Sequence, residues 1–266
     1  MIVYGSKMYG RKDLVKGWGA CQSCGQYGQQ KSYYGRKWGH LYFIPLIPLG
    51  AKVRVLKECA KCSNGLHIPE KDVPDMLQNL RSISDAALAA LIGGQKEFNH
   101  KGEDLPCAKE LSGCIEFFYC LLAEDYIRLV LAALLEKKLD YVHHLVNGRS
   151  LEFQGKLDDA GASYRNAMEF EPEDILPISS LGAVTINKGD FQGARAIYER
   201  TLELTEDKLP IYQILLSVYE SLKLHVELAD TYEACLELRP ELRQDKKIMK
   251  AYKKACKKAG RQPDVK

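Results

Sequence analysis

The stretch GKLDDAGASYRNAMEFEP, at residues 155–172, returns 34 residues later as GDFQGARAIYERTLELTE at residues 189–206. It returns once more as KLHVELADTYEACLELRP at residues 223–240, and the three segments align without gaps. A fixed period of this length is typical of arrays of helical hairpins, which need about three units for a stable stack. Such arrays present extended surfaces to partners. The C-terminal half is therefore predicted to bind another molecule.

The three units carry small, aromatic and proline residues at matching positions. This pattern resembles the tetratricopeptide repeat, and the resemblance implies an all-α solenoid over residues 141–242. It also implies roles for the matching residues: small side chains where helices approach, tyrosines as wedges and prolines that close a repeat (Gly148, Gly182, Ala160 and Ala194; Tyr164, Tyr198 and Tyr232; Pro172 and Pro240). The third unit departs from the pattern at Leu216 and Leu228, and the second ends at Glu206 without a proline. Residues 107–140 are a candidate for a degenerate fourth repeat.

The first helix of each repeat is expected to line a groove. Its candidate residues are small, polar or apolar: Leu145, Arg149, Ser179, Ser180, Ala183, Gln213, Ile214 and Ser217. Repeats that hold a carboxylate at the end of a peptide resemble one another in using Lys, Asn and Arg at such positions. We therefore expect no carboxylate clamp here, and predict a protein partner that presents a peptide or a helix with an apolar face.

The N-terminal part contains two C-x-x-C units, CQSC and CAKC. A tight turn lets both sulfurs of such a unit face one ion, and two units complete the tetrahedral shell that zinc prefers. The spacing predicts one structural Zn²⁺ held by Cys21, Cys24, Cys59 and Cys62. Iron in the same shell stays open as an alternative. A redox C-x-x-C needs only one pair, so it explains the second unit poorly.

Between the two cysteine pairs the chain predicts short strands at Tyr33-Tyr34, residues 41–44 and residues 53–56. Prolines at positions 45 and 48 place the FIPLIPL stretch at a sheet edge or in a loop. The region resembles a zinc-ribbon family whose long insert carries an F-I-P-x-x-P-L arm before the second cysteine pair. That family has no assigned activity, so the resemblance implies a small β fold and a metal, and no function.

Basic and aromatic residues alternate in this N-terminal region. Cations can contact phosphates and aromatic rings can stack on bases, which makes a nucleic-acid patch the alternative function. Its candidates are Lys31, Arg36, Lys37, Trp38, Arg54 and Lys57. The competing interpretation is that the aromatic residues form the small core and the lysines solvate it. The lysine-rich C-terminal helix permits the same two interpretations, an anion-binding patch or a solvated face.

Charge divides the 266-residue chain into three parts. Residues 1–72 carry a net charge of +8, residues 73–242 carry −13, and residues 243–266 carry +8. With the repeats and the cysteines, this division predicts the following domains: a zinc ribbon at 1–68, a linker at 69–75, a helical region with a possible degenerate repeat at 76–140, three repeats at 141–242, and a basic capping helix and tail at 243–266.

Several function classes lack support in the sequence. It contains no phosphate-binding loop, nucleotide fingerprint or Ser/His/Asp signature, so we expect a non-catalytic protein. We find no secretory signal and no apolar stretch that could span a membrane. Nine cysteines, four of them in C-x-x-C pairs, favour a metal site in the cytoplasm or another reducing compartment over a disulfide scaffold. The leading hypothesis is a protein-interaction scaffold.

Overall fold

The computed structural model describes residues 4–24, 27–41 and 44–263. An N-terminal antiparallel sheet precedes a helical-repeat-like arrangement, which confirms the predicted order of a small β module and an all-α body. The four strands neighbour one another in chain order: β1 (Tyr4–Ala20), β2 (Tyr27–Leu41), β3 (Ile44–Cys59) and β4 (Leu66–Pro69). We call β1–β4 the N-terminal sheet.

The strands are longer than the short runs that the sequence predicts. Strand β1 pairs with β2 from Tyr4–Leu41 to Ala20–Tyr27, although its own residues, rich in glycine and lysine, carry no clear strand pattern. Strand β4 covers only residues 53–56 of β3. Pro45 and Pro48 therefore lie in a part of β3 that pairs with β2 alone, which agrees with the expected sheet edge. Tyr42 and Phe43 lie outside the described residues.

The helical part begins directly after the sheet. Its elements within the described residues are α1 (Val73–Ile92), a short hairpin of β5 (Glu97–His100) and β6 (Glu103–Pro106), then α2 (Cys107–Cys120), α3 (Glu124–Glu136), α4 (Asp140–Phe153), α5 (Leu157–Phe170), α6 (Ile175–Asn187), α7 (Phe191–Leu204), α8 (Leu209–Leu222), α9 (His225–Leu238) and α10 (Lys246–Lys258). Helices α4 to α10 pack in succession, each against the next. Residues 141–242 thus form three helical hairpins: α4–α5, α6–α7 and α8–α9.

Glycines in the first helix of two hairpins make room for a tyrosine of the second helix. A Cβ atom on Gly148 would lie 2.6 Å from the ring of Tyr164, and one on Gly182 would lie 2.7 Å from the ring of Tyr198. Both tyrosines are fully buried. In the third hairpin a leucine, Leu216, stands in place of the glycine, and Tyr232 is only half-buried. The 34-residue pattern therefore marks where paired helices approach most closely.

The turn inside each hairpin needs one residue with positive φ. Gly155 (φ 76°) and Gly189 (φ 82°) supply it in the first two hairpins, whereas the third has Lys223 at φ 59°. A non-glycine residue in this left-handed region is strained because its Cβ approaches the following carbonyl.

Replacing Lys223 by glycine is expected to stabilise the protein. We expect Lys223→Gly to raise the free energy of unfolding by about 0.5–1 kcal/mol, since relief of the strain outweighs the added freedom of the unfolded chain. Urea denaturation measures this change. The matched control, Gly189→Lys at the equivalent turn, should lower the stability. A destabilised Lys223→Gly protein would contradict the backbone strain assigned to Lys223.

The segment predicted as a linker, residues 69–75, belongs to the fold. Pro69 ends β4, residues Glu70–Asp72 form a 3₁₀ turn, and α1 starts at Val73. Ile68 and Val73 are buried in a cluster with Leu56 of β3 and with Leu121. Two prolines and mixed charge resemble a linker in sequence, but Ile68 and Val73 anchor the sheet to the helices.

The last helix covers the end of the repeats. Tyr252, Ala255 and Cys256 of α10 are buried against α9, while the lysines of α10 face outward. Asp245 caps the helix by accepting hydrogen bonds from the amides of Lys247 and Ile248. No helix within the described residues is long and apolar enough to cross a bilayer.

Candidate metal centre and partner groove

The four paired cysteines lie in two turns at one end of the N-terminal sheet. Cys21 and Cys24 occupy the connection from β1 to β2, and Cys59 ends β3 three residues before Cys62. Backbone hydrogen bonds fix the second turn. Ser63 N donates to Cys59 O at 2.8 Å, and Ala60 N donates to Gln29 O of β2 at 3.1 Å. The antiparallel pairing of β2 and β3 thus brings together cysteines that are 35 residues apart in sequence.

The four sulfur atoms all lie within 4.8 Å of one another. The Cys21 and Cys62 sulfurs are 3.5 Å apart, and those of Cys24 and Cys59 are 3.9 Å apart. A tetrahedral zinc site with Zn–S bonds of about 2.3 Å separates its sulfurs by about 3.8 Å. The site therefore has the donor type, number and spacing to hold a metal ion, which confirms the predicted ligand cluster at that level.

The surroundings of Cys21, in the turn between β1 and β2, favour its thiolate form. Burial acts to raise the pKa of Cys21, but hydrogen bonds from the backbone of Cys24 and Ser23 outweigh it and lower the pKa to about 7. The other five cysteines are buried outside the cluster (Cys107, Cys114, Cys120, Cys235 and Cys256). Burial raises the pKa of Cys235 to about 11, as expected of an inert core thiol.

The predicted groove residues of the second and third hairpins share the face of α6 and α8. Ser179, Ser180, Ala183, Gln213, Ile214 and Ser217 are all half-buried. The Ser180 hydroxyl donates to Leu176 O at 2.8 Å, so it satisfies its own helix and leaves a small, neutral surface. Helix α6 has no charged residue along its length. This face is small and neutral, and Ala183 and Ile214 on it also pack against the core of the second and third hairpins.

The predicted groove residues of the first hairpin contact other parts of the protein. Leu145 is fully buried among Ala160, Tyr164 and Val184, because α5 and α6 close over it. The Arg149 guanidinium donates to Glu116 of α2 at 2.8 Å and to Glu152 at 3.0 Å. Contrary to the sequence-based expectation, neither side chain lines an open groove.

Glu116 is the centre of a half-buried ion network that the sequence did not reveal. Besides Arg149, it pairs with Lys57 of β3 at 2.9 Å, so one carboxylate joins the sheet, α2 and α4. Burial acts to raise the pKa of Glu116, but the charges of Arg149 and Lys57 outweigh it and lower the pKa. Nearby, Glu152 also accepts a hydrogen bond from Asn187 of α6 at 3.1 Å.

Two of the residues predicted to contact nucleic acid bind other parts of the protein instead. Arg54 is fully buried, donates to Cys120 O at 2.7 Å and to Asp13 O at 2.9 Å, and lies 4.7 Å from the ring of Tyr34. Lys57 pairs with Glu116. Arg54 has no exposed surface to offer a phosphate, and Lys57, a quarter of whose side chain is exposed, already pairs with a carboxylate at the junction of sheet and helices. Of the other candidates, Lys31, Arg36 and Trp38 are half-buried and Lys37 is exposed.

The sheet lies against the helices that begin each hairpin. Strand β1 runs beside α4 and α6, and β2 lies beside α8. Gly17 allows the ring of Phe153 to approach closely, since a Cβ atom there would lie 2.9 Å from it. Trp18 packs against the core of the second and third hairpins. A cavity of about 480 Å³ remains between residues 14–18 and the ends of α4 and α6.

Comparison with known proteins adds a short match. No protein-family model matches the chain. A segment of 60 residues is 38% identical to the human Protein O-mannosyl-transferase TMTC1, a protein that contains tetratricopeptide repeats. The segment is 23% of this chain and 7% of the human protein. The chain thus spans only a small part of that relative, and the similarity is consistent with a helical-repeat protein.

Proposed function

We propose that this protein is a non-catalytic interaction scaffold whose second and third helical hairpins bind a protein partner. The observation that carries the proposal is the face shared by α6 and α8. Its residues keep accessible surface, and α6 has no charged side chain. Successive helical hairpins expose such faces for recognition and hold them rigidly. The short similarity to a repeat-containing protein supports the same function.

The chemistry of the face indicates the class of partner. Small hydroxyl and aliphatic groups such as Ser180, Ala183 and Ile214 cannot hold a carboxylate, which needs cationic or amide donors. An amphipathic helix that lays its apolar side into the groove fits them better. We propose a helix or peptide with an apolar face as the partner.

In this proposal the hairpins are tetratricopeptide repeats and the N-terminal sheet is a zinc ribbon. Four cysteine sulfurs in a shell of tetrahedral dimensions suit Zn²⁺, which would cross-link the two turns and leave no open position for catalysis. The metal thus has a structural role. Four cysteines in a metal site and five buried singly in the helical part agree with the cytoplasm or another reducing compartment.

Charged substitutions in the groove should abolish partner binding. Ser180→Arg and Ile214→Arg place a bulky cation on the neutral face, and an apolar partner cannot solvate it. We expect each variant to lower partner retention at least tenfold in affinity purification with quantitative mass spectrometry. Retention of the partner by the unchanged protein should vary little with salt, whereas nucleic-acid binding would weaken steeply.

The matched controls are Leu129→Arg and Leu135→Arg, which add the same charge to exposed leucines of α3. They should retain the partners of the unchanged protein. Melting temperatures of all four variants establish that they fold. If the groove variants are folded and keep every partner, the groove is not the binding site.

A further inference from the structure

Helix α10 has a charged surface that plays no part in packing against the repeats. All of its exposed residues are lysines, and there are seven of them (Lys246, Lys247, Lys250, Lys253, Lys254, Lys257 and Lys258). We call these seven residues the lysine face. Within the described residues, none of their side chains has an ion pair or a hydrogen bond.

The lysine face points directly away from the protein. At about 100° per residue, its members cover an arc of about 140° of the helix, from Lys253 to Lys258. The centre of this arc is opposite the side that holds Tyr252, Ala255 and Cys256, which are buried against α9. A large partner can therefore reach the lysine face without displacing any part of the fold.

The arrangement of the lysines is unfavourable for the helix itself. Lys246 and Lys247 lie in the first turn, where the helix dipole disfavours cations. Pairs four residues apart, such as Lys250–Lys254 and Lys254–Lys258, repel each other. Solvated surfaces usually mix both signs of charge. A dense anion bound to the lysine face would relieve these repulsions.

The carboxylates of α9 next to α10 contact other groups. Asp230 accepts a hydrogen bond from Arg261 at 2.6 Å, and Glu233 lies 3.4 Å from the same guanidinium. The Tyr252 hydroxyl also donates to Glu233, at 2.8 Å. No carboxylate in the described part of the chain therefore pairs with the lysine face.

The rest of the chain is less suited to binding an anion. In the N-terminal sheet, Arg11, Lys52 and Lys57 pair with carboxylates of the protein, and Arg54 is fully buried. Residues 73–242 carry a net charge of −13, which repels a polyanion. We therefore expect a polyanion to contact the protein at α10.

We propose that the lysine face binds the phosphate backbone of a double-stranded nucleic acid. Helix α10 is about 20 Å long, and a duplex carries one negative charge per about 1.7 Å of its axis, which is enough for every lysine. A groove about 12 Å wide admits an α-helix and places phosphates on both sides of it. The two flanks of the arc, at Lys253 and Lys258, match this arrangement. Because the face holds no amide that reads a base, binding should depend little on sequence.

An anionic bilayer fits the lysine face less well. A flat surface meets only the centre of an arc of about 140°, so the lysines on the flanks stay in water. The apolar side of α10 is buried against α9 and cannot insert, and stable anchoring to a bilayer takes more than one signal. The shape of the charge thus favours a duplex, whose groove surrounds the helix.

Fluorescence anisotropy with the full-length, metal-loaded protein tests the proposal. The probes are short labelled duplexes of DNA and of RNA, each in unrelated sequences. We expect binding to both, tighter to DNA because A-form RNA has a narrow major groove. Affinity should fall about 100-fold or more between about 50 and 200 mM salt, as expected for four or more neutralised phosphates. Lys250→Gln/Lys254→Gln should weaken binding about tenfold or more at low salt and reduce the salt slope by about two.

Controls separate the lysine face from other cations. Lys12→Gln/Lys37→Gln, which removes two exposed lysines of the N-terminal sheet, should leave the affinity within about twofold. The Lys250→Gln/Lys254→Gln protein should keep the melting temperature of the unchanged protein, or raise it by relief of repulsion. Three results would overturn the proposal: no binding of either duplex at about 50 mM salt, an equal loss of affinity in both double variants, or tighter binding to vesicles that contain phosphatidylserine than to the duplexes.

Discussion

Removing the metal from the four-cysteine site is expected to unfold the N-terminal sheet. Structural zinc contributes on the order of 10 kcal/mol to the folding of small metal-binding modules. Cys24→Ser and Cys62→Ser should each abolish binding of one metal ion per chain and lower the stability of the sheet by several kcal/mol. Both tryptophans, Trp18 and Trp38, lie in this sheet, so their fluorescence during urea denaturation reports its unfolding.

The control for this experiment is a cysteine outside the cluster. Cys235 is buried in the helical core, and Cys235→Ala should leave the metal content at one ion per chain with a smaller loss of stability. Elemental analysis measures the metal directly. A metal-free protein whose tryptophans keep the folded signal and the original urea midpoint would contradict a structural metal.

Replacing Glu116 is expected to give the second large effect. The carboxylate neutralises Arg149 and Lys57, so Glu116→Gln leaves Lys57 without its carboxylate partner and Arg149 with Glu152 alone at the junction of sheet and helices. Breaking a fully buried pair in this way costs about 3–5 kcal/mol. These side chains keep 13–25% of their surface exposed, so chemical denaturation should show a loss near the lower end of this range. The matched control, Glu136→Gln, breaks an exposed pair with Lys137 and should cost less than about 1 kcal/mol.

The pH dependence tests the same carboxylate independently. Its pKa is lowered in the folded state, so its contribution is complete above the unfolded value of about 4.3 and is lost as the pH falls through the folded pKa. The stability difference between the unchanged protein and Glu116→Gln should therefore be largest near neutral pH and shrink below about pH 4. A difference that stays constant down to pH 2 would show that Glu116 is not ionised in the folded protein.

Features that repeat or pair within a short stretch could be predicted from the sequence. The 34-residue period predicted the hairpins because each unit needs the same turn and the same close helix contact, seen at Gly155 and at Gly182 against Tyr198. The cysteine spacing predicted the cluster because two tight turns suffice to aim four sulfurs at one point. In both cases the determinants are local.

Contacts between distant parts of the chain could not be predicted. A charged Arg54 between valines suggests an exposed position, yet it is buried because a backbone carbonyl 66 residues away accepts its hydrogen bond. Strand β1 has weak strand propensity of its own and gains its hydrogen bonds from β2. Leu145 and Arg149 match groove positions, but α5 and α6 bury Leu145 and Arg149 pairs with Glu116 of α2. The 34-residue period does not indicate these contacts within the chain.

In the proposed scaffold, the neutral face of α6 and α8 is the surface offered to a protein partner. The Glu116 network holds the N-terminal sheet against the helices, because one carboxylate pairs with Lys57 of β3 and with Arg149 of α4.

Site-specific photo-cross-linking from the groove tests the central claim most directly. A photoreactive residue at Ile214 reports what touches the face of α8 in cells, and one at Leu129 on α3 is the control. We predict a discrete cross-linked protein from position 214 that is absent from position 129 and is lost in the Ser180→Arg background. Equal cross-linking from both positions, or none from position 214, would contradict a partner in the groove.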